Sequence, residues 1–351
     1  GLFASLDRGR TWVDIRNNLP RVSVRGIKIQ PQYNDLVIGT HGVGAWSLDN
    51  VQPLVELADA MQQEVHLFDI REATDWESWN RDSSLGRSTF QGQNPQEGAY
   101  IDFFLAEAPT RESTGASIRI TDAQGRLVRE LTDLPASPGV NRAVWNLTWT
   151  GADPVPGGRS GSSGTPVAPG TYTATLSVNG QELSKSFQVR GDPALQTSQA
   201  DYEARTEAVL RSQEIQSDLN QMIGSVVDLR DQAETLQRVI QGKDLPNEDE
   251  IGAQILAATE ALDALENVLR RPPPSMGYRI YPRLSEQLSF ATRGISQAQA
   301  RPTVGQLQVI SELEAEVRAA RAEHQSIIDG PISALNRLLQ GQGRILMRGG
   351  R

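Results

Sequence analysis

Residues 117–131 read SIRITDAQGRLVREL, and this stretch decides the fold of the middle of the chain. Apolar and polar residues alternate on both sides of residues 122–125, which predicts two β-strands joined by a tight turn. A second hairpin is predicted at Asn179-Gly180, because both residues accept the positive φ angles of a two-residue turn. The same alternation predicts further strands at 99–105, 143–149, 171–178 and 182–189. Residues 98–190 are therefore expected to form a small antiparallel β-sandwich.

Three ordered segments of this region carry a family resemblance: residues 118–129, IRITDAQGRLVR, residues 138–146, PGVNRAVWN, and residues 168–174, APGTYTA. Together they resemble the immunoglobulin-like domain related to the one in the flagellar hook-capping protein. The resemblance implies an immunoglobulin-like sandwich that serves as a spacer or docking surface and has no catalytic residues of its own. Residues 157–164, GGRSGSSG, lack the Gly-Lys-Ser/Thr ending of a phosphate loop, so we expect a flexible loop between strands there.

The beginning of the chain contains a recognisable turn motif. Its residues follow the spacing S-x-D-x-G-x-T-W of the Asp-box: Ser5, Asp7, Gly9, Thr11 and Trp12. In this turn the Ser and Asp side chains bond backbone amides, the Gly adopts a conformation that a side chain would resist, and the Trp packs beneath. We therefore expect Asp7 to be structural rather than catalytic. Strands predicted at 22–29, 36–40 and 45–48 complete a unit of the length of one propeller blade.

Residues 34–49, NDLVIGTHGVGAWSLD, resemble the final blade of the sortilin-like, BNR-repeat proteins often labelled glycosyl hydrolases. With the immunoglobulin-like module and the helical end, the resemblance covers essentially the whole chain and corresponds to the C-terminal part of such bacterial proteins. It implies that residues 1–50 are a single blade. A lone blade leaves two sheet faces uncovered, so we expect it to pack on another chain, on missing blades or on the sandwich. His41 is expected to be a hydrogen-bonded structural residue rather than a ligand or base.

Residues 51–97 are expected to form a polar, irregular connector. Trp76 and Trp79 are candidate partner contacts, although we favour a role in sealing the blade against the sandwich. Four acidic side chains lie in the same segment: Asp69, Glu72, Asp75 and Glu77. They could include the acid pair of a glycosidase, but nothing in the sequence places two carboxyl groups at a defined separation, and a solvated acidic face is favoured.

Residues 196–351 are expected to form an antiparallel α-helical bundle, because apolar residues recur at alternating spacings of three and four. Breaks are predicted at 242–246, 272–274 and 330–331, and Thr303 with Gln306 predicts a capping box. His324 falls on an apolar seam and is expected to be packed and neutral. This region contributes the remaining candidate partner contacts. Tyr278 and Tyr281 lie in an aromatic segment between helices, and Arg344 and Arg348 lie in the basic last residues of the sequence, on either side of an apolar stretch.

Composition limits the functional classes. The 351 residues carry a net charge of −9 and no strand or helix shows a basic stripe with interleaved aromatics, so a nucleic-acid partner is not expected. The absence of Cys excludes disulfides and zinc–thiolate sites. No apolar run reaches the roughly 20 residues of a membrane-spanning helix. The sequence has no initiator Met or signal peptide, and we expect residue 1 to be a processed or truncated start.

The sequence thus predicts a multidomain α+β protein made of a β-propeller blade remnant, an immunoglobulin-like β-sandwich and a helical bundle. No catalytic residue, cofactor site or metal site is predicted. The leading hypothesis is a non-catalytic structural or interaction subunit, exported to the periplasm or the cell exterior, that binds another protein and possesses no membrane span of its own. One version of it docks on a membrane complex from the periplasmic side. Two alternatives stay open: an accessory region of a propeller glycoside hydrolase whose active site lies in missing blades, and a peptide-binding sortilin-like protein.

Overall fold

The computed structural model describes residues 1–77, 92, 94–109, 115–156, 164–241, 247–271 and 281–340. The protein has a mixed α+β fold and divides into two compact units. The first unit contains Gly1–Thr150 and Pro166–Gln196, and the second contains Gly151–Thr165 and Thr197–Arg351. Residues 151–165 follow the first unit's strands in sequence, yet they belong to the helical unit. The predicted glycine-rich loop falls on 157–163, outside the described residues, except for Gly164.

The first unit begins with a hairpin, β1 (Phe3–Ala4) and β2 (Val13–Asp14). A three-stranded antiparallel sheet follows in the order β3 (Val24–Gln30), β4 (Asp35–Thr40) and β5 (Ala45–Leu48). All three strands were predicted within two residues at each end. Their inner face packs on a small core that also includes residues on either side of the hairpin and the residue before the first helix: Leu2, Leu19, Leu36, Ile38 and Val51.

The segment expected to be irregular is instead ordered at its beginning. Helix α1 covers Gln52–Ala60, and Pro53 stands at its start, where the missing N–H of proline costs nothing. Two short strands follow, β6 (Val65–Leu67) and β7 (Ala73–Asp75). Each is added to the edge of a different larger sheet, so this segment is part of the first unit's core rather than a loose linker.

Those larger sheets are built from β8 (Ala99–Leu105), β9 (Ser117–Asp122), β10 (Leu127–Leu131), β11 (Gly139–Trp145), β12 (Gly170–Val178) and β13 (Gln181–Gly191). One sheet has the order β10-β9-β12-β13-β7 and the other β11-β8-β6. Both predicted hairpins are confirmed, and Asn179 and Gly180 have φ angles of 50° and 78°. The buried ring of Trp145 lies 5.2 Å from the Tyr172 ring and 6.1 Å from the Phe187 ring, so the two sheets share one apolar interior.

The strand predicted at 143–149 begins and ends earlier than expected. It covers Gly139–Trp145, because Leu147 adopts a φ of 57° and interrupts the extended backbone. Trp145, Leu147 and Trp149 are nevertheless all buried, as their alternation indicated. A left-handed residue is uncommon for leucine, and nothing in the local sequence marks it.

The second unit consists of α2 (Gln199–Ile240), α3 (Glu248–Leu269), α4 (Leu284–Ser296), α5 (Val304–Ile327) and α6 (Ser333–Gln340). Their seams form one core that includes Leu219, Leu262 and Leu288. Ion pairs and hydrogen bonds join α2 to α5 in step, Arg211 to Glu314, Asp218 to Arg321 and Ser225 to His324. These two helices therefore run parallel, and the unit is not a simple alternation of up and down helices.

The helix ends agree with the sequence in most places. The capping box is confirmed. The backbone N–H of Gln306 donates to Thr303 Oγ1 at 3.2 Å, and the backbone N–H of Thr303 donates to Gln306 Oε1 at 2.9 Å. Asn247 precedes α3 as predicted but has a φ of 63° and makes no capping bond. At Pro331 the predicted break is a single wider turn, Ile328–Ile332, which leads directly into α6.

Candidate functional site

The outer strand β3 leaves an apolar face uncovered. Ile27 stands beside Ile38 on β4, and Ile29 stands beside Leu36. Ile38 and Leu36 are only 3% and 7% exposed, whereas Ile27 and Ile29 are 54% and 57% exposed. Strand partners that stand opposite one another point to the same face of a sheet. The buried core of this sheet therefore ends at β4. Two apolar rows, Ile38–Ile27 and Leu36–Ile29, continue onto β3, where their side chains are exposed.

The backbone of β3 is also available on its outer side. β3 is the first strand of a three-stranded sheet, so alternate N–H and C=O groups point away from β4. A bulge between Val24 and Gly26 interrupts the register and makes the edge irregular. Covering each exposed isoleucine would contribute roughly 1 kcal/mol or more, because these side chains are about half buried already. This edge, defined by Val24–Gln30, is the candidate docking edge.

The hairpin before β3 adds further exposed apolar side chains around a rigid turn. Asp7 accepts hydrogen bonds from the amides of Arg10 and Thr11 at 2.9 and 2.8 Å, and from the hydroxyls of Thr11 and Ser5 at 2.7 and 2.9 Å. The Thr11 hydroxyl, and then the Thr11 amide, hold the pKa of Asp7 below its usual range. Gly9 has a φ of 88° and its amide donates to Ser5. The Asp7 carboxylate is thus fully occupied by turn formation.

Trp12 lies beside Gly9, but its indole is 63% exposed. It is not packed beneath the turn as the motif led us to expect. Phe3 and Val13, on the two strands of the same hairpin, are also exposed. Large apolar side chains at a surface are informative when they occur together, because they mark surfaces that another molecule covers. The hairpin and the docking edge belong to one small core and share this property.

A buried polar cluster joins the three-stranded sheet to β8 and β11. Asp102 is 2% exposed and accepts from Arg142 Nε at 2.6 Å, from Arg142 Nη2 at 3.1 Å and from Asn50 Nδ2 at 2.9 Å. Arg142 also donates to the Asp49 carbonyl and lies 4.5 Å from the centre of the Tyr100 ring. Sequence reasoning missed this cluster, because the residues that bond one another are 40 or more positions apart and no single motif contains both partners.

Two of the six candidate partner contacts lie in the described residues. Trp76 is exposed after β7 in the first unit, and Tyr281 is 85% exposed just before α4 in the second unit. Trp79, Tyr278, Arg344 and Arg348 lie outside the described residues.

Two of the four acidic residues predicted in the connector have cationic partners on β13. Asp69 pairs with Lys185, and Glu72 pairs with Arg190 at 3.0 Å. They are surface ion pairs rather than a solvated acidic face. His41 is exposed; its amide donates to Ser23, and its ring has no hydrogen-bond partner among the described residues, so it is not the bonded structural residue that we expected.

The helical unit contains a groove of about 810 Å³ between α2 and α5. Pro156 packs on Gly224 at its end, since a Cβ on Gly224 would lie 2.5 Å from Pro156 Cδ. Inside the groove His324 Nε2 lies 3.0 Å from Ser225 Oγ, and Asp218 pairs with Arg321 at 2.6 Å. His324 is half-buried rather than packed in the core, and its burial lowers its pKa. The lowered pKa favours the neutral form of the ring.

We expect His324 to make the helical unit less stable in mild acid. Because its pKa is lower in the folded state, the unfolded chain binds more protons between the folded value and about 6.5. The contribution of His324 is thus complete above that window and is lost as pH falls through it. Urea unfolding followed by helical circular dichroism at pH values of about 7.5 and 5.5 measures the loss. A His324→Gln variant, which still reaches Ser225, should lose less; an equal loss in both proteins would contradict this assignment.

Within the described ranges, no three His, Asp or Glu side chains come together in an arrangement that could hold a metal ion. None of the described helices combines the length and apolar composition needed to cross a bilayer. Comparisons with protein-family models and with curated proteins found no match for this chain.

Proposed function

We propose that this protein is a non-catalytic docking subunit of a larger assembly and binds a partner protein through the docking edge at Val24–Gln30. In this proposal the β1–β5 region is a propeller blade remnant, the two larger sheets form an immunoglobulin-like sandwich that acts as a spacer, and the helices form a bundle. The single observation that carries it is the exposure of Ile27 and Ile29 in rows whose neighbours, Ile38 and Leu36, are buried. A protein surface that continues these rows would complete the core of the sheet.

The chemistry of the singled-out polar residues supports a structural role. The Asp7 carboxylate bonds only groups of its own turn. Asp69 and Glu72, two candidates for a glycosidase acid pair, instead form ion pairs with Lys185 and Arg190 on β13. Asp102 is buried, and its bonds with Arg142 and Asn50 serve to hold the β3–β4–β5 sheet onto β8 and β11, which supports the docking edge.

Resemblance to sortilin-like proteins favours an exported protein at the periplasm or the cell exterior, and we place the partner in a membrane complex facing that compartment. Membranes solubilised from the native source test this placement. The protein should co-sediment with one membrane complex. Its recovery in the free soluble fraction alone would count against docking on a membrane complex.

We expect the double substitution Ile27→Ser/Ile29→Ser to weaken partner binding at least about tenfold, since roughly 1.4 kcal/mol corresponds to one factor of ten. The substitution should change the free energy of unfolding of the isolated protein by less than about 1 kcal/mol, because both side chains are exposed. Recovery of the partner with the purified, tagged protein measures the first effect and urea unfolding the second.

Val140→Ser is the matched control, because Val140 is an exposed side chain on β11, another edge strand of the same unit. It should leave partner recovery unchanged. By contrast, Ile38→Ala should cost about 2–4 kcal/mol of unfolding free energy, as expected for a buried isoleucine. Equal partner recovery with the double variant and with the native protein would reject the docking edge.

A further inference from the structure

The charge of the chain is unevenly distributed, and its beginning is basic. The whole protein has a net charge of −9, yet residues 1–30 contain two acidic side chains, Asp7 and Asp14, against six basic ones: Arg8, Arg10, Arg16, Arg21, Arg25 and Lys28. A local excess of one sign beside exposed apolar groups favours a partner of the opposite sign.

Most of these cations form no ion pair with the acidic residues that the structure describes. Asp14 forms an ion pair with Arg16 at 2.6 Å, and the Asp7 carboxylate accepts hydrogen bonds from groups of its own turn. In the parts of the chain that the structure describes, Arg8, Arg21, Arg25 and Lys28 are exposed and form no ion pair. Two of them stand on β3 itself: Lys28 lies between Ile27 and Ile29, and Arg25 lies at the bulge two residues before Ile27. The docking edge is therefore apolar and positively charged along the same strand.

We infer that the partner presents an acidic, extended segment of protein that adds to the outer side of β3. This inference rests on the proposed docking function and names the kind of partner. The outward N–H and C=O groups of β3 would pair with the added strand, as in other recognition by strand addition. Acidic side chains of that segment would meet Arg25 and Lys28, and apolar ones would continue the rows of Ile27 and Ile29.

The same features disfavour two other occupants. A second copy of β3 would place like charges opposite one another, which is destabilising in a strand pair. Basic residues and a bulge on an edge strand are devices that prevent such self-pairing. An anionic lipid surface would attract the cations, but it offers no regular pairing for the outward backbone groups of a strand. An acidic strand satisfies the charge, the backbone and the apolar rows together.

The test uses the full chain in its native cells, with the photo-crosslinking residue p-benzoylphenylalanine in place of Ile29. We expect one protein adduct whose crosslinked peptide is rich in Asp and Glu. The double substitution Arg25→Glu/Lys28→Glu should lower the adduct yield roughly tenfold or more, because it places negative side chains opposite the acidic residues of the partner. The control Arg293→Glu reverses an exposed cation of α4 that forms no ion pair among the described residues, and it should leave the yield unchanged. Raising the salt from about 0.15 M to about 1 M, which shortens the Debye length from about 8 to about 3 Å, should weaken the complex in a lysate.

The outcomes separate the two proposals. An adduct whose yield survives the charge reversal would overturn the acidic partner and leave the docking edge in place. An adduct made of two copies of this chain would overturn it as well. Binding to phosphatidylglycerol vesicles without any protein adduct would replace the protein partner with a membrane. The complete absence of an adduct at Ile29, with vesicles also unbound, would reject the docking function itself.

Discussion

Arg142→Met is expected to destabilise the first unit by about 3–5 kcal/mol. The substitution would leave the Asp102 carboxylate, 2% exposed, with Asn50 as its remaining side-chain donor. A buried charge that loses its counter-ion is far more costly than a missing surface contact. All six tryptophans lie in residues 1–150, so tryptophan fluorescence during urea unfolding follows this unit alone.

Arg119→Met is the matched control, because Arg119 pairs with Glu182 at 3.0 Å and both side chains are about half exposed. It should cost no more than about 1 kcal/mol. Adding Asp102→Asn to Arg142→Met should recover a large part of the loss, since it removes the uncompensated charge and keeps an acceptor for Asn50. A loss in Arg142→Met as small as that in Arg119→Met would show that the cluster does not support the docking edge.

Gly98→Ala is expected to cost about 3 kcal/mol or more. Gly98 has a φ of 136°, a region that side chains disfavour, and a Cβ there would overlap the backbone carbonyl of Trp145. Because Ala99 and Trp145 are partners at the end of the β8–β11 ladder, relief of the overlap would pull these strands apart. Urea unfolding followed by fluorescence measures the effect.

Gly125→Ala separates the overlap from the backbone conformation. Gly125 also has a positive φ, 77°, but nothing lies within 4 Å of the position that a Cβ would take. It should cost only about 1–2 kcal/mol, the penalty of a left-handed residue with a side chain. If the two substitutions cost the same, close packing against Trp145 would not be the reason for glycine at position 98.

The sequence predicted secondary structure well where an element depends mainly on residues close to it in the chain. The alternation in residues 117–131, the Asn179-Gly180 turn and the Thr303 capping box each depend on neighbouring residues, and each is present. The break after Trp145 and the order in residues 52–75 could not be read in this way. Leu147 is held in an uncommon conformation by the sandwich around it, and β6 and β7 exist because larger sheets offer them an edge.

The candidate site was predictable only in outline. The resemblance led us to expect an uncovered sheet face near the beginning of the chain, and Ile27 and Ile29 of β3 are exposed. Which strand is uncovered, however, depends on the sheet order, and alternation alone would place Ile27 and Ile29 in the core. The Asp102–Arg142–Asn50 cluster unites residues up to 92 positions apart, and no pattern in the sequence connects them.

The measurement that tests the docking function most directly is the native mass of the particle that contains this protein in an extract of its source cells. The protein should be found in a particle larger than its own polypeptide, and that particle should contain a second protein. Ile27→Ser/Ile29→Ser should release it as the free chain, while Val140→Ser should not. A native protein that migrates as a monomer under gentle extraction, identical to the double variant, would contradict the account.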